Sequence, residues 1–155
     1  MLKPFDRKTA DDAEKEVFLK VLRPLVETYL AFLRKDERNI RRLGLTTAQF
    51  DVIATLGNTS GMSCKALSDQ TLVTKGTLTG VLDRLKKKEL IERIPSKEDR
   101  RSVFVRLTPK GNKSFREVFP SHIYFLKPFF ENALTPGQMA VLRELLLKLK
   151  ESFEK

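Results

Sequence analysis

Apolar residues recur every three or four positions across residues 11–42, where Phe18, Leu22, Leu25, Tyr29 and Phe32 mark one side of the chain. That spacing predicts a long amphipathic helix whose stripe needs a partner. Later helices announce their starts, because a Ser or Thr recurs with an apolar residue before it and another four helical positions on. Thr46 has Leu45 and Phe50, with Gln49 completing a capping box; Ser63 has Met62 and Leu67; Thr74 has Val73 and Leu78. Thr135 has Leu134 and Met139, with Pro136 at the first helical position and Gln138 closing a second box. Thr108 followed by Pro109 marks one more start, proline being favoured at the opening position of a helix.

Between Leu90 and Leu107 the period changes to two: Ile91 and Arg93, then Val103, Val105 and Leu107, alternate with mostly polar neighbours. This reads as a β-hairpin with a polar, charged tip, Pro95-Ser96-Lys97-Glu98-Asp99-Arg100-Arg101-Ser102. The predicted order is helix, helix, short helix, helix, hairpin, long helix, helix, a mainly α fold with one small β-hairpin. Pro120 and Pro128 fall within the penultimate helix and are expected to kink or break it.

Charge sharpens this outline. The 155 residues carry 30 Lys and Arg against 20 Asp and Glu, a formal +10, which favours a polyanion. Residues 75–113, a quarter of the chain, hold twelve of the basic and five of the acidic side chains, so +7 of that charge falls on one segment. A single cysteine, Cys64, leaves no intramolecular disulfide and fits a reducing compartment. The charged start of the chain lacks the apolar run of a signal peptide, and no uncharged stretch is long enough to span a bilayer. A soluble, cytoplasmic protein without a membrane partner is expected.

Residues 63–70, a turn at 71–73 and residues 74–88 form two helices joined by three residues, the layout of a helix-turn-helix. At 100° per residue the second helix places Leu78, Val81, Leu82 and Leu85 on one side. Gly76, Thr79, Gly80, Asp83 and Lys87 lie opposite, with Lys75, Thr77 and Arg84 flanking. Two glycines on an outward helical face cost about 1 kcal/mol each relative to alanine. Close approach to a groove wall would explain them; a solvated face that tolerates them is the alternative for the helix taken alone. Thr77 and Thr79 suit base edges or a thymine methyl, while Lys75, Arg84 and Lys87 suit phosphates or guanine. The hairpin that follows has the charge to reach a neighbouring minor groove, arginine being suited to that narrow, negative channel. Asp99 fits such a tip if it orients Arg100 or Arg101.

The run Thr77-Leu78-Thr79-Gly80-Val81-Leu82-Asp83-Arg84-Leu85, then Leu90-Ile91-Glu92-Arg93, Asp99-Arg100-Arg101 and Leu107-Thr108-Pro109-Lys110-Gly111 resembles, in order and spacing, the signature of MarR-family regulators. The resemblance implies a winged helix-turn-helix domain over residues 45–108 and a dimerisation region made of residues 1–44 and 109–155, all one structural unit. It further implies a homodimer on a palindromic operator in double-stranded DNA, habitually a repressor, with a cleft that often accepts a small aromatic or anionic effector. It assigns Arg101 to the minor groove, Asp99 to holding it, and Asp83 to pairing with a wing arginine. Ser63, Thr74 and Lys97 complete the expected DNA-facing set. The expected dimer core is Phe18, Leu22, Leu25 and Tyr29 with Met139, Leu142, Leu146, Leu149 and Phe153, stripes that a lone domain of this length could not all bury. Glu89 departs from the family, which usually ends the recognition helix with glycine; the helix is expected to run on or to end differently here.

Other residues carry less. Cys64 opens a short helix, where a thiol gains reactivity, but its small neighbours favour a structural role over oxidant sensing. His122, the single histidine, has no ligand-spaced Cys, Asp or Glu, so neither a metal site nor a catalytic pair is expected, and no cofactor. Phe115, Phe119, Tyr124, Phe125, Phe129 and Phe130 read as core or as lining for an effector pocket. An enzyme reading lacks a nucleophile with a positioned base. A purely helical interaction module would show no salt-dependent, sequence-selective binding of duplex DNA, which separates it from a regulator.

Overall fold

The computed structural model describes residues 10–95 and 103–155. Two compact units divide the chain, Met1–Arg38 and Asn39–Lys155. In the first, a single turn, α1 (Ala10–Ala13), gives way to a second helix, α2 (Leu19–Arg42), whose last turn from Asn39 belongs to the second unit. One unbroken helix from residue 11 was expected; instead the chain turns through residues 14–18, with the Leu19 amide donating to the Glu16 carbonyl at 3.2 Å, and α2 then runs through Pro24 without a break. The predicted stripe remains exposed on this chain, Phe18 by 60%, Leu22 by 41% and Tyr29 by 58%; only Leu25 is half-buried.

The second unit follows the predicted order of helices, α3 (Thr47–Leu56), α4 (Cys64–Gln70), α5 (Lys75–Lys87), α6 (Pro109–Glu131) and α7 (Pro136–Phe153). Between them run β1 (Met62–Ser63), β2 (Ile91–Pro95) and β3 (Val103–Leu107). Capping boxes close at Thr46 with Gln49 and at Thr135 with Gln138. The Ser63 hydroxyl accepts from the Ala66 amide at 3.1 Å, and Thr108 caps α6 through the Gly111 amide at 2.9 Å. The hairpin pairs Ile91 with Leu107, Arg93 with Val105 and Pro95 with Val103, all antiparallel. β1, a two-residue strand with no periodicity to read, adds to the other edge of β3 with Met62 opposite Val105, giving the sheet order β1-β3-β2.

The core gathers one apolar face from each element around Val52, Ile53, Leu67, Leu85 and Val105, none of them measurably exposed. Removing that much side-chain area from water, roughly 2 kcal/mol per large residue, is what holds α3, α4 and α5 against the sheet. α6 runs unbroken through Pro120 and Pro128, against the expected kink or break. Phe115, Val118 and His122 bury one side of it, while both prolines are exposed. Arg116 and Tyr124, whose carbonyls lose their donors, are exposed too, so solvent can replace the missing bonds. α7 is the opposite case to α5: it buries no residue at all, and Val141, Leu142, Leu145 and Leu146 are 41% to 60% exposed.

Candidate nucleic-acid interface

The candidate reading helix, α5, is built from the inside out. Leu78, Val81, Leu82 and Leu85 are each 5% exposed or less and fix the rotation of α5, which turns Lys75, Gly76, Thr77, Thr79, Asp83, Arg84 and Lys87 outward. Gly80 is half-buried. A side-chain carbon added at Gly76 would meet nothing within 4 Å, and at Gly80 only the Arg84 guanidinium at 3.3 Å. Nothing among the described residues therefore requires these two glycines, and the room they leave opens outward. Three of the outward side chains are cationic, which gives the face its sign.

The start of α5 differs from the expectation. Thr74 occupies the capping position, but its side chain caps no amide; the hydroxyl donates to the Thr77 hydroxyl at 2.9 Å. The turn before it is held from another element instead: the Leu72 amide donates to Asp51 of α3 at 2.7 Å. Burial raises the pKa of the Asp51 carboxyl, and this hydrogen bond works against that shift. Asp51 was not among the predicted site residues; it lies 21 positions before Leu72, and no local pattern joins the two.

The far end of α5 also differs. Glu89 takes φ of 60°, the left-handed conformation in which glycine is usual, so the helix ends in a Schellman motif despite the missing glycine. The Leu90 amide reaches the Leu85 carbonyl at 3.0 Å, and that of Glu89 reaches Lys86 at 2.9 Å. The conformational cost of about 1 kcal/mol is met locally. The Thr108 hydroxyl donates to the Glu89 carbonyl at 2.6 Å, and Lys110 lies 3.2 Å from the Glu89 carboxylate. Next to this joint Gly111 passes so close to Leu90 that a side-chain carbon would sit 1.9 Å from the Leu90 carbonyl oxygen. Lys88 donates to the Gly44 carbonyl at 3.1 Å and to Gln49 at 3.3 Å, tying the same end to the start of α3.

Asp83 pairs at 2.7 Å with Arg93 of β2, whose second guanidinium nitrogen donates to the Thr79 carbonyl at 3.3 Å. The arginine thus bridges the hairpin and α5. Half-exposed pairs of this kind contribute about 0 to 1 kcal/mol, so its effect is on geometry. Arg93 is in phase with buried Ile91 and so lies on the side of the hairpin that meets α5, at its exposed edge; the sequence resemblance had implied the pairing of Asp83 with a wing arginine. Lys97, Asp99, Arg100 and Arg101 lie outside the described residues.

Cys64 is half-buried and lines a shallow groove with Lys65, Lys75, Thr79 and Arg93. His122 is buried, its Nδ1 2.8 Å from the Asn39 Oδ1, with the Phe50 ring edge-on at 4.7 Å. Phe115 and Phe119 pack nearby at 5.2 Å and Phe125 against Phe129 at 5.5 Å, while Tyr124 and Phe130 are exposed. Among the described residues no group of side chains could hold a metal ion, and no helix is long and apolar enough to cross a membrane.

Comparison with known proteins places this site in a family. The family model described as MarR family matches residues 45–103, the span from the start of α3 into the hairpin. The HTH-type transcriptional regulator MhqR of Bacillus subtilis (strain 168) is 31% identical over 107 residues, covering 69% of this chain and 74% of that one. The fold of Sco3205, a MarR family transcriptional regulator from Streptomyces coelicolor solved in complex with DNA, superposes with a TM-score of 0.83 over 99% of this chain and 94% of that one, at 21% identity. BpsR of Bordetella bronchiseptica, whose DNA binding is regulated by 6-hydroxynicotinic acid, superposes with a TM-score of 0.73 at 28% identity, over 84% of this chain and 98% of that one. By its sequence and by the architecture around α5, the chain belongs to the MarR family of winged helix-turn-helix proteins and is a DNA-binding transcriptional regulator rather than an enzyme.

Proposed function

We propose that the protein works in the cytoplasm as a homodimeric repressor, gripping an inverted-repeat operator with two copies of α5 and two wings and letting go when a small aromatic or anionic effector binds. The observation that carries the dimer is α7, an 18-residue helix with no buried residue and a series of exposed leucines. Met139, Leu142, Leu146, Leu149 and Phe153, together with Phe18, Leu22, Leu25 and Tyr29 of the first unit, would then be covered between subunits. Residues 1–44 and 109–155 serve dimerisation and residues 45–108 serve DNA. On this reading Lys75, Arg84, Lys87 and Lys97 meet phosphates or guanine, Thr77 and Thr79 read base edges, and Gly76 and Gly80 let the backbone approach. Ser63, Thr74 and Arg100 face the duplex, Arg101 enters the minor groove held by Asp99, and Asp83 orients the hairpin through Arg93.

The effector belongs to the reading because BpsR, similar to this chain, is regulated by an aromatic acid. Sedimentation and selection of duplexes from a random pool test the whole. The expected results are a dimer at micromolar concentration and an inverted repeat with half-sites about 34 Å apart. Affinity should fall by about 0.9 log unit per log unit of salt for each phosphate neutralised. A monomer, or selection of no sequence, would overturn the proposal, and a panel of aromatic carboxylates that never releases the duplex would remove the effector from it.

A further inference from the structure

Leu72 is 93% exposed, more than any other large apolar side chain described, and it lies in the turn between α4 and α5. The other strongly exposed apolar residues fall mainly on α2, α6 and α7; Leu72 stands apart from them, between Gln70 and the polar start of α5. Its backbone is not loose. Thr71 and Val73 on either side are buried, and its amide is held by Asp51 at 2.7 Å. The fold therefore fixes the main chain at this point while leaving a bare leucine in water.

We infer that Leu72 is a specificity-determining residue that packs on the C5-methyl group of a thymine in the operator, an inference that rests on the DNA-reading role of α5. In a helix-turn-helix the N-terminal residues of the second helix meet the base edges, and Leu72 precedes the capping Thr74 by two positions at that same end. A leucine has no donor or acceptor, so it cannot read the hydrogen-bonding pattern of a base pair. The major groove presents one apolar group at its base edges, the thymine methyl. The neighbouring Thr74, Lys75 and Thr77 are exposed and polar, so along the chain the leucine adjoins the proposed DNA-facing residues at the start of α5 rather than an apolar stripe. Because Asp51 and the two buried neighbours already order the turn, little conformational freedom is lost when the contact forms.

Deoxyuridine, which is thymidine without the methyl group, tests this directly. Each dT of a selected operator is replaced in turn by dU in both half-sites, and binding of the wild type and of Leu72→Ala is measured at one salt concentration. The expected result is one symmetry-related thymine at which dU weakens the wild type about fourfold per half-site, the value of one buried methyl. Leu72→Ala should bind that dT duplex correspondingly less well and be indifferent to dU there. Circular dichroism melting of Leu72→Ala should match the wild type, since the side chain touches little of the fold. Identical dU profiles for the two proteins, or a uniform loss in Leu72→Ala with no dU-sensitive position, would overturn the inference while leaving operator binding intact. A wild type that selects no duplex at all would instead bring down the reading on which it rests.

Discussion

Two helices of the second unit are amphipathic in sequence and opposite in fate. α5 buries Leu78, Val81, Leu82 and Leu85 within its own chain and turns a cationic face outward; α7 carries five leucines and buries nothing. The difference teaches that a hydrophobic stripe fixes which side of a helix needs covering but not what covers it. For α5 the cover is the core formed with α3, α4 and the sheet; for α7 the proposal is a second copy of the chain. The two helices should respond to mutation in separable ways.

The sharpest way to break the contrast is to put charge on α7. Leu146→Glu should dissociate the dimer and abolish operator binding together, while leaving the far-UV circular dichroism of each subunit near that of the wild type. A Leu146→Glu protein that still sediments as a dimer would end the assignment. Leu85→Ala probes the other side of the comparison: it should cost about 2 to 5 kcal/mol of unfolding free energy in denaturant melts, with the change seen equally when dimer and monomer are compared. Smaller, and opposite in sign for two properties, is Gly76→Ala. A methyl there meets nothing among the described residues, so the helix should gain up to about 1 kcal/mol of stability while operator affinity falls. Stabilisation with unchanged binding would mean that the glycine is only tolerated.

The hairpin offers a further test of whether the outward face reads or merely attracts DNA. Arg101→Ala should weaken binding broadly and relax preference at the operator flanks, and Asp99→Ala should be a milder version of it. Simple electrostatics would have loss of an acid tighten binding, so tighter binding by Asp99→Ala at equal salt would reduce the tip to a charged surface. The least effect is expected at Asp51. Its carboxyl pKa is raised by burial, so the folded state holds a proton more firmly than the unfolded one, and ionisation at neutral pH costs stability. Asp51→Asn keeps an acceptor for the Leu72 amide without the charge. It should melt slightly higher than the wild type at pH 7, with the gap closing as pH falls through the raised pKa toward 3.8. A gap that widens on acidification would refute that cause.

What could be read in advance was what neighbouring residues determine. Helix starts at Thr46, Ser63, Thr108 and Thr135 were legible because each cap lies within five residues of its supporting signal: a staple and box at Thr46 and Thr135, a staple at Ser63 and the following Pro109 at Thr108. The inward face of α5 was legible because four apolar residues share one period. The interruption before α2 was missed because the stripe through Phe18 continues in helical phase, so periodicity gives no sign of the turn at residues 14–18. The unbroken α6 was missed for the converse reason: local chemistry argues for a break, and burial of Phe115, Val118 and His122 outweighs it. At the site, the Asp51 hold on Leu72 and the Thr108 bond to Glu89 join residues 21 and 19 positions apart. Neither leaves a trace in periodicity. Thr74 failed as a cap since a second hydroxyl, Thr77, competes for its own.

The end of α5 has a mechanical consequence. The Thr108 amide donates to the Leu90 carbonyl at 3.1 Å, its hydroxyl holds the Glu89 carbonyl, and Gly111 leaves no gap between the two backbones. A joint made largely of main chain against main chain has few side-chain rotamers to absorb displacement, so the end of α5 and the start of α6 are held as one stiff corner. In the proposed dimer, any movement of the dimerisation helices would reach α5 through this corner.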